Sequence, residues 1–413
     1  MTELFATYRS FPRPSRLLMV NQFAINTGFY MLMPYLAGYL AGSLGLAAWA
    51  VGLVLGVRNF AQQGMFLLGG TLADRFGYKP LIVAGCLLRT GGFVLLALAD
   101  SLPALVVAAA ATGFAGALFN PAVRAYLAAD SGPRRVAAFA VFNVFYQTGI
   151  LFGPIVGLAL MAIDFRATAA GAAAVFGLLT LAQLRALPQH TAPPRTTSVL
   201  DDWRVVLANR PFLLFAAAMI GCSALSFQVY LALPIQAARI VGAHSATVLM
   251  TGVFVVSGVI AIAGQLRITR WFARRWGRGH SLAFGMVILA TSFVPLLLVP
   301  GTGLGVWPAA GALLLTAAAL GVGTAAVFPF EMDTVVALSG NRLVATHYGL
   351  YNTIVGIGIL LGNLGIGTLL DATHHAGTSS LAWATLVAVG GVAAAALLAL
   401  ARAGRLDAPV SVS

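Results

Sequence analysis

The stretch GGTLADRFGYKP, residues 69 to 80, concentrates polar chemistry in a chain that otherwise carries very little charge. It holds one aspartate, one arginine, one lysine and three glycines, whereas only 8% of all residues are charged. The carboxylate of Asp74 needs a partner, such as the positive end of a helix dipole or a guanidinium group. Gly70 and Gly77 stand on either side of it and indicate a tight turn between closely packed helix ends. The alternative, a loop that only anchors the chain by positive charge, explains the basic residues but not the aspartate.

Two further acids, Glu331 and Asp333, lie in the apolar stretch AVFPFEMDTVVALSG. A charged side chain inside a membrane span costs about 2.5 to 3.5 kcal/mol on insertion scales, so such residues are candidates for function. Two positions along a helix differ by roughly 200 degrees of rotation, so the two acids point to nearly opposite faces and need not share a role. We expect Glu331 to be the main proton-binding carboxylate, with Asp333 as the second candidate for proton coupling.

The composition describes a chain that resides in lipid. Apolar residues make up 60% of its 413 positions, and a soluble protein of this size would be about a quarter charged. A membrane helix needs roughly 20 mostly apolar residues. We therefore predict an all-α membrane protein with twelve spans, at 16–41, 49–72, 80–99, 103–128, 137–162, 166–185, 211–239, 245–268, 280–300, 307–335, 346–370 and 379–402.

One long polar connection divides these spans into two sets of six. We predict an N-terminal six-helix bundle over residues 1–185, a cytoplasmic central linker over 186–210 and a C-terminal six-helix bundle over 211–413. Aligning the two halves sets Tyr30 on Tyr230 and FYMLMPYLA on VYLALPIQA. The order of the matching spans predicts two pseudo-symmetric bundles in parallel duplication, a common arrangement in transporters.

The formal charge of +13 reports orientation and not a nucleic-acid partner. With both termini in the cytoplasm, only Arg166 and Arg239 fall on the outer side, and Arg58, Arg89 and Arg124 fall inside spans. The other basic residues lie in cytoplasmic loops, arms and the linker. This is the positive-inside pattern, which brings basic side chains to anionic lipid headgroups.

The signature stretch between the second and third spans resembles that of the major facilitator superfamily. Together with GILFGPIVG in the fifth span, it resembles the twelve-helix drug/proton antiporters, and residues 51 to 85 are similar to bacterial multidrug exporters. The resemblance implies the major facilitator fold in the bacterial cytoplasmic (inner) membrane. It also implies proton-coupled efflux of amphipathic or drug-like molecules by rocking of the two bundles. The expected partners are a small-molecule substrate, protons and membrane lipids; the proton gradient supplies the energy without a cofactor, and we expect a monomer.

The same resemblance assigns a conformational switch to the signature loop. Asp74 is expected to hold the outward-facing state through Arg124 and the start of the eleventh span. The switch residues are Gly70, Asp74, Arg75, Gly77, Lys79 and Arg124. In the second half, the duplication places Arg274 at the position of Asp74, so we predict a charge-reversed pair of Arg274 with Asp333. The alternative is that Asp333 meets any nearby arginine, among Arg270, Arg275 and Arg342.

The fifth span carries Gly149, Gly153 and Gly157 at intervals of four, with Pro154 among them. This spacing puts the glycines on one helix face, where another backbone can approach, and the proline adds a local bend. The pattern resembles the antiporter motif, whose helix lies at the interface between the halves in that family. Small residues that merely pack two helices together are the plainer interpretation.

Polar and aromatic residues inside the spans form the predicted substrate cavity. We expect the first, fourth, seventh and tenth spans and their neighbours to line most of this cavity. The candidates are Asn26, Tyr30, Arg58, Gln62, Asn143, Gln147, Gln228, Tyr230, Phe330, Glu331 and Asn352. Arg89, alone in the third span, is interpreted as a structural arginine that bonds neighbouring carbonyls. Two features that the antiporters often carry are absent: Ala109 stands where they have a membrane-embedded arginine, and the first span has no aspartate.

Other function classes are disfavoured by motifs that are missing. The only lysine, Lys79, is not in a phosphate-binding loop, so the chain itself does not hydrolyse ATP. The histidines show no HExxH or acidic metal cluster, and no GxSxG occurs, so we predict no enzyme and no metal. Cys86 and Cys222 are interpreted as apolar fillers. Export of a specific metabolite, lipid or siderophore remains the main alternative to drug efflux, followed by a sensor that does not transport.

Overall fold

The computed structural model describes residues 2–161, 163–188, 198–375, 378 and 380–406, and this part of the chain is helical without a strand. Its helices run from short surface turns to long membrane segments. They are α1 Thr2–Arg9, α2 Arg13–Tyr30, α3 Met33–Gly38, α4 Ala48–Gln63, α5 Phe66–Phe76, α6 Tyr78–Leu98, α7 Leu102–Ser131, α8 Arg135–Met161, α9 Phe165–Ala186, α10 Val199–Ala208, α11 Arg210–Ser226, α12 Ala232–Thr291, α13 Val294–Leu298, α14 Val306–Leu338, α15 Val344–His375 and α16 Ser380–Arg402. The prediction of an all-α membrane protein is confirmed.

Within the described residues, eight helical stretches are long and apolar enough to cross a membrane. Two of these stretches, Leu102–Met161 and Val248–Leu298, each contain two predicted spans. The eight therefore account for ten of the twelve predicted spans. The first two predicted spans, 16–41 and 49–72, are each broken into shorter helices.

The breaks in the first two spans have local causes. Between α2 and α3 the chain turns at Leu32, and a proline stands in the first turn of α3. Proline has no backbone N–H, so it tends to begin a helix and not to continue one. Between α4 and α5 the break falls at Gly64 and Met65. Apolar composition predicted two continuous spans here and did not reveal these interruptions.

Two glycines divide α12 into the segments that composition had predicted separately. Gly242 has φ 77° and ψ 158°, and Gly277 has φ 66° and ψ −172°. A side chain would disfavour this positive φ at either position, so glycine allows the change of direction. Gly277 ends one span and begins the next, with arginines on both sides.

Contacts divide the chain into two compact units. The first unit comprises Thr2–Ala208 together with Asn341–Thr353, and the second comprises Asn209–Gly340 together with the described chain from Ile354 onward. The single helix α15 is therefore shared, with its first turns in one unit and the remainder in the other. Helix α10, inside the predicted linker, belongs to the first unit, and residues 189–197 of that linker lie outside the described residues.

The first unit is built on α6 and α7, which pack along each other. Helix α9 covers α6, α4 packs on α7, and α2 packs on α8. Aromatic side chains fill its interior, including Phe93, Tyr126, Phe139 and Phe176, all of which are fully buried. Burying such side chains in contact with one another fixes the helices that carry the polar groups discussed below.

The second unit is organised around α12, which packs against α14 and α16. Its interior includes Trp383, whose ring stacks over Phe293 at 6.4 Å between centroids. Gly285 and Gly323 allow close helix approach here: a methyl group on either would lie 2.7 Å from a neighbouring Val327 or Leu289 side chain. Small residues at helix crossings are the usual basis of packing within a membrane, where no hydrophobic effect separates helix from lipid.

Candidate functional site

The carboxylate of Asp74 binds the first turn of α15. Its side chain is buried, and Oδ1 accepts a hydrogen bond from the Ala345 backbone N–H at 3.2 Å. Oδ2 accepts from the Thr346 backbone N–H and from the Thr346 hydroxyl, both at 2.7 Å. The first N–H groups of a helix have no partner within it, and the helix dipole adds positive potential there. The aspartate thus accepts hydrogen bonds from the free N–H groups of this helix end and places a negative charge at the positive end of its dipole.

Glycine is required on both helices where they meet. A methyl group on Gly70 would lie 2.1 Å from the Ala345 carbonyl oxygen, and one on Gly349 would lie 2.4 Å from the Phe66 carbonyl oxygen. No larger side chain fits at such distances, so the two backbones touch only because both positions are glycine. Gly77 has φ 90° and ψ 160° and makes the turn from α5 into α6.

Arg124 binds α15 and not the predicted Asp74. Its Nη1 donates to Oδ1 of Asn352 at 2.8 Å, and Asn352 in turn donates to the Tyr348 carbonyl at 2.8 Å. The expected direct pairing of Arg124 with Asp74 is therefore wrong in this structure, because the N-terminus of α15 occupies the carboxylate. Asn352, predicted to line the cavity, belongs to this contact, so α15 is held to the first unit at two levels.

The basic residues of the signature loop bind the linker helix and the end of α9. Arg75 donates through Nε at 3.0 Å and Nη2 at 2.7 Å to Oδ2 of Asp202, whose side chain is buried. In α10, Trp203 Nε1 donates to the Thr71 hydroxyl at 2.9 Å. Lys79 donates to the Leu184 carbonyl at 2.9 Å. Sequence reasoning missed Asp202; its signal was an acidic pair beside a tryptophan in the linker.

The start of α10 is stabilised by a reciprocal cap. The Ser198 hydroxyl accepts from the Asp201 N–H at 3.1 Å, and the Asp201 carboxylate accepts from the Ser198 N–H and hydroxyl at 3.2 and 2.6 Å. This is a capping box, which fixes where a helix begins. The hydrogen bonds from Ser198 lower the pKa of the Asp201 carboxyl. Helix α10 is thus defined at its first turn and docked at Asp202.

In the second unit, Asp333 pairs with Arg278 and not with the predicted Arg274. Arg278 Nε donates to Asp333 Oδ2 at 2.7 Å, and its Nη1 donates to the Leu406 carbonyl at 3.4 Å. Arg274 is exposed. The correction has a physical cause: the alignment of the two halves put Arg274 in the place of Asp74, but the chain changes direction at Gly277. The residue after the break is the one that faces α14.

The two acids of α14 have different surroundings. Asp333 is 4% exposed and ion-paired. Glu331 is half-buried and lies close enough to Cys222 of α11 to interact with it electrostatically. Their separation agrees with the expected opposite faces of the helix. Asp333 has a cationic partner in Arg278, whereas Glu331 lies beside a thiol.

The three glycines of α8 form the surface that contacts α2. Methyl groups on Gly149, Gly153 and Gly157 would lie 2.5 Å from the Phe23 carbonyl oxygen, 2.6 Å from Tyr30 Cβ and 2.0 Å from the Met31 carbonyl oxygen. This face is thus used for packing inside the first unit. The Pro154 carbonyl accepts from the Tyr35 hydroxyl at 2.8 Å.

The predicted cavity residues fall into buried and accessible groups. Asn26 and Asn143 are buried in the first unit, and Asn26 donates to the Tyr146 carbonyl at 2.8 Å. Gln228 is fully buried in the second unit, where it donates to Ala224 and Asn363.

Phe330 is also buried, so both Gln228 and Phe330 face the core of the second unit and not a cavity. Tyr230 is 48% exposed, and Tyr30, Gln62 and Gln147 are half-buried.

Two arginines meet over one phenylalanine ring in the first unit. The guanidinium carbon of Arg58 lies 4.6 Å, and that of Arg89 lies 5.2 Å, from the ring centroid of Phe29. Arg58 donates to the side-chain oxygens of Asn59 at 2.8 Å and Gln62 at 3.0 Å. Arg89 donates to the Thr112 carbonyl at 3.2 Å, as expected for a structural arginine. What the sequence did not reveal is that the two cations are neighbours.

Comparison with known proteins agrees with this architecture. The sequence model of the Major Facilitator Superfamily matches residues 18–363. An uncharacterized MFS-type transporter of Mycobacterium tuberculosis is 65% identical over 395 residues, covering 95% of this chain and 94% of that protein. The multidrug resistance protein MdtH of an Enterobacter species is 28% identical over 381 residues, covering 92% of each chain.

Solved structures show the same fold at low identity. The human organic anion transporter MFSD10 aligns with a TM-score of 0.69 at 16% identity, covering 93% of this chain and 99% of that one. A variant of the peptide transporter POT in complex with sulfate aligns with a TM-score of 0.68 at 19% identity, covering 98% and 99%. The chain therefore belongs to the major facilitator superfamily and is a membrane transporter, not an enzyme.

Proposed function

We propose that this chain is a secondary active transporter that exports amphipathic, drug-like small molecules by alternating access, in exchange for protons. The observation that carries the proposal is the contact of Asp74 with the first turn of α15. A carboxylate on a helix N-terminus is a strong contact that involves no covalent bond, so it can be made and broken in a transport cycle. The first turns of α15 belong to one compact unit and the rest of the helix belongs to the other. Breaking the Asp74 contact therefore releases the first turn of α15 from the first unit.

The choice of substrate class is supported by the multidrug resistance protein MdtH, which is similar over nearly the whole chain. Exposed aromatic side chains such as Phe60 and Tyr230 suit apolar, loosely specified ligands, since aromatic surface gives large contact area without fixed polar partners. A transporter of one polar metabolite would instead be expected to present a ring of fixed charges.

Proton coupling is assigned to Glu331. It is half-buried in α14, within a predicted span, whereas the neighbouring Asp333 is already neutralised by Arg278. An acid in such a place can take up and release a proton as its surroundings change between two states. The distribution of basic residues supports an orientation with both termini in the cytoplasm of a bacterial cell.

The experiment is transport by the purified chain in sealed proteoliposomes. A pH step is applied while accumulation of cationic, neutral, zwitterionic and anionic drugs and the accompanying proton movement are followed. We expect Glu331→Gln to abolish accumulation driven by the pH step and to leave substrate binding within about twofold of the wild type. Glu3→Gln, which removes a carboxylate from the exposed α1, is the matched control. A Glu331→Gln protein that still concentrates drug would overturn the assignment, and the absence of flux of any drug would overturn the proposed function.

A further inference from the structure

Arg58 and Arg89 form a pair of positive charges within predicted spans, and no acidic side chain of the described residues pairs with either. Arg89 lies near the middle of the 21-residue α6 and is 6% exposed. Arg58 lies within α4, in the second predicted span. Among the described residues the contacts of both are with neutral groups, namely side-chain amides, a backbone carbonyl and aromatic rings. Two neighbouring cations in a span are costly unless an anion joins them.

Two other partly buried arginines of the chain are neutralised by carboxylates, whereas Arg124 donates to the neutral Asn352. Arg75 pairs with Asp202 at 2.7 Å, and Arg278 pairs with Asp333 at 2.7 Å. Both of those sites lie next to helix ends, where water and headgroups also reduce the cost. The deeper pair, where compensation matters more, is the one that no described carboxylate reaches. The difference indicates that the compensating anion comes from outside the chain.

The unused hydrogen-bond donors of the pair are also buried. The Nε of Arg58 and the Nε of Arg89 are buried and have no hydrogen-bond partner within the part of the chain that the structure describes. A guanidinium carries five N–H groups in a planar fork that matches the oxygens of a carboxylate or sulfonate. Arg58 donates two hydrogen bonds and Arg89 donates one to protein atoms. The remaining donors suit a ligand with two or three anionic oxygens.

The surroundings hold the two guanidinium groups in place and enclose Arg58 less than Arg89. Phe29 supports both through its ring face, which attracts cations. Gly116 of α7 provides room for Arg89, because a methyl group there would lie 2.6 Å from Arg89 Nη2. Arg58 is half-buried, and its partner Asn59 is exposed, so a ligand would reach Arg58 first.

We propose that Arg58 and Arg89 bind the carboxylate or sulfonate group of an amphipathic organic anion, which makes anions and zwitterions the preferred substrates. This inference rests on the proposed export function and specifies the substrate class for it. Phe29 positions the two arginines, and Gln62 holds Arg58 through its side-chain oxygen. A neutral molecule of the same shape lacks the group that compensates the pair and binds more weakly.

The test compares two dyes that share one skeleton and differ in charge. Anilinonaphthalene sulfonate carries the anionic group, and phenylnaphthylamine lacks it; both fluoresce more strongly in an apolar site. The full chain is placed in phosphatidylcholine nanodiscs, and each dye is titrated against it with empty nanodiscs as the blank. We expect Arg58→Gln and Arg89→Gln each to weaken binding of the sulfonate dye by about tenfold, the cost of losing a charge-assisted hydrogen bond.

Matched variants distinguish binding of the sulfonate dye at this site from its general electrostatic attraction to a basic protein. Arg134→Gln removes an equal charge from a surface arginine that also lies over a ring, Phe11 at 4.5 Å, and should change neither dye. Arg58→Lys keeps the charge but loses the planar fork, so an intermediate effect is expected. If Arg89→Gln does not fold, Gly116→Ala displaces the Arg89 guanidinium without removing charge and should also weaken the sulfonate dye.

The outcomes distinguish this inference from the proposed function, because binding is measured at equilibrium without a proton gradient. Unchanged sulfonate binding in Arg58→Gln, parallel loss of both dyes, or an equal loss in Arg134→Gln would each overturn the anion site. If binding depends on the charge of the dye but no drug is transported in proteoliposomes, the anion site is supported and the proposed export function is overturned. If neutral and anionic drugs are transported at equal rates, the export function is supported and the preference for anions is overturned.

Discussion

At the residue scale, the acids of this chain are distinguished by what satisfies each of them. Asp74 is satisfied by backbone N–H groups and a hydroxyl, Asp202 by Arg75, and Asp333 by Arg278. Each of these carboxylates is buried, and a buried carboxylate that loses its partner is destabilising. The identity of the partner therefore predicts what each substitution will do.

Replacing Asp74 by asparagine should increase the population in which the first turn of α15 is released. The amide keeps the size but loses the charge, and hydrogen bonds to a charged group are worth about 1.5 to 3 kcal/mol. Spin labels at Phe76 in the first unit and Trp271 in the second, both exposed, would report the distance distribution after both native cysteines are replaced. Asp201→Asn, an equal loss of charge on α10, is the control. A distribution that matches the wild type would contradict the role of Asp74.

Breaking the Arg278–Asp333 pair should destabilise the second unit from either side. Removing one partner of a buried pair costs up to about 3 to 5 kcal/mol, so Arg278→Gln and Asp333→Asn should each lower the thermal unfolding temperature in detergent. The exchange Arg278→Asp with Asp333→Arg should recover part of that loss. Arg274→Gln should be silent. A double exchange that is no more stable than the single variants would show that the pair is not what stabilises this region.

At the element scale, α8 shows how spacing alone determines a packing surface. Glycine at every fourth position lies on one face, and each of the three glycines meets α2 or the residue that follows it. The sequence predicted this close approach because the spacing is local to one helix. It did not predict the partner helix, because the partner depends on how distant segments fold together.

Alanine at Gly157 should prevent close packing of α8 on α2. Its methyl group would lie 2.0 Å from the Met31 carbonyl oxygen, so the helices must separate. Overpacking of this kind costs about 1 to 3 kcal/mol, which should appear as a lower unfolding temperature and lower yield. Gly91→Ala, where no heavy atom lies within 4 Å, is the matched control. Equal stability of the two variants would contradict the packing role of Gly157.

At the scale of the whole molecule, membrane spans were predictable and side-chain partners were not. A run of some 20 apolar residues leaves helix as the only way to satisfy the backbone in lipid, so composition sufficed for span positions. The interruption at Leu32 depends on backbone angles that the composition does not encode. The break at Gly277 lies between two predicted spans, but which arginine meets Asp333 depends on how the chain turns there, so the predicted partner was wrong. The contact of Asp74 with the first turn of α15 was predicted through the motif resemblance.

The docked linker helix gives the chain a natural place to be divided into two polypeptides. Asp202 and Trp203 fasten α10 to α5, and only Asn209 separates α10 from α11. A cut within residues 189–197 would therefore leave the C-terminal fragment with its own docking peptide for the N-terminal one. We expect the two coexpressed fragments to copurify, and the yield of the pair to fall in Asp202→Asn with Trp203→Phe, while the exposed Arg204→Gln has no effect. The contacts of Asp74 and Arg124 with the first turns of α15 remain in all three proteins. A yield in the double variant equal to that of the wild type would show that α10 does not contribute to assembly of the fragments.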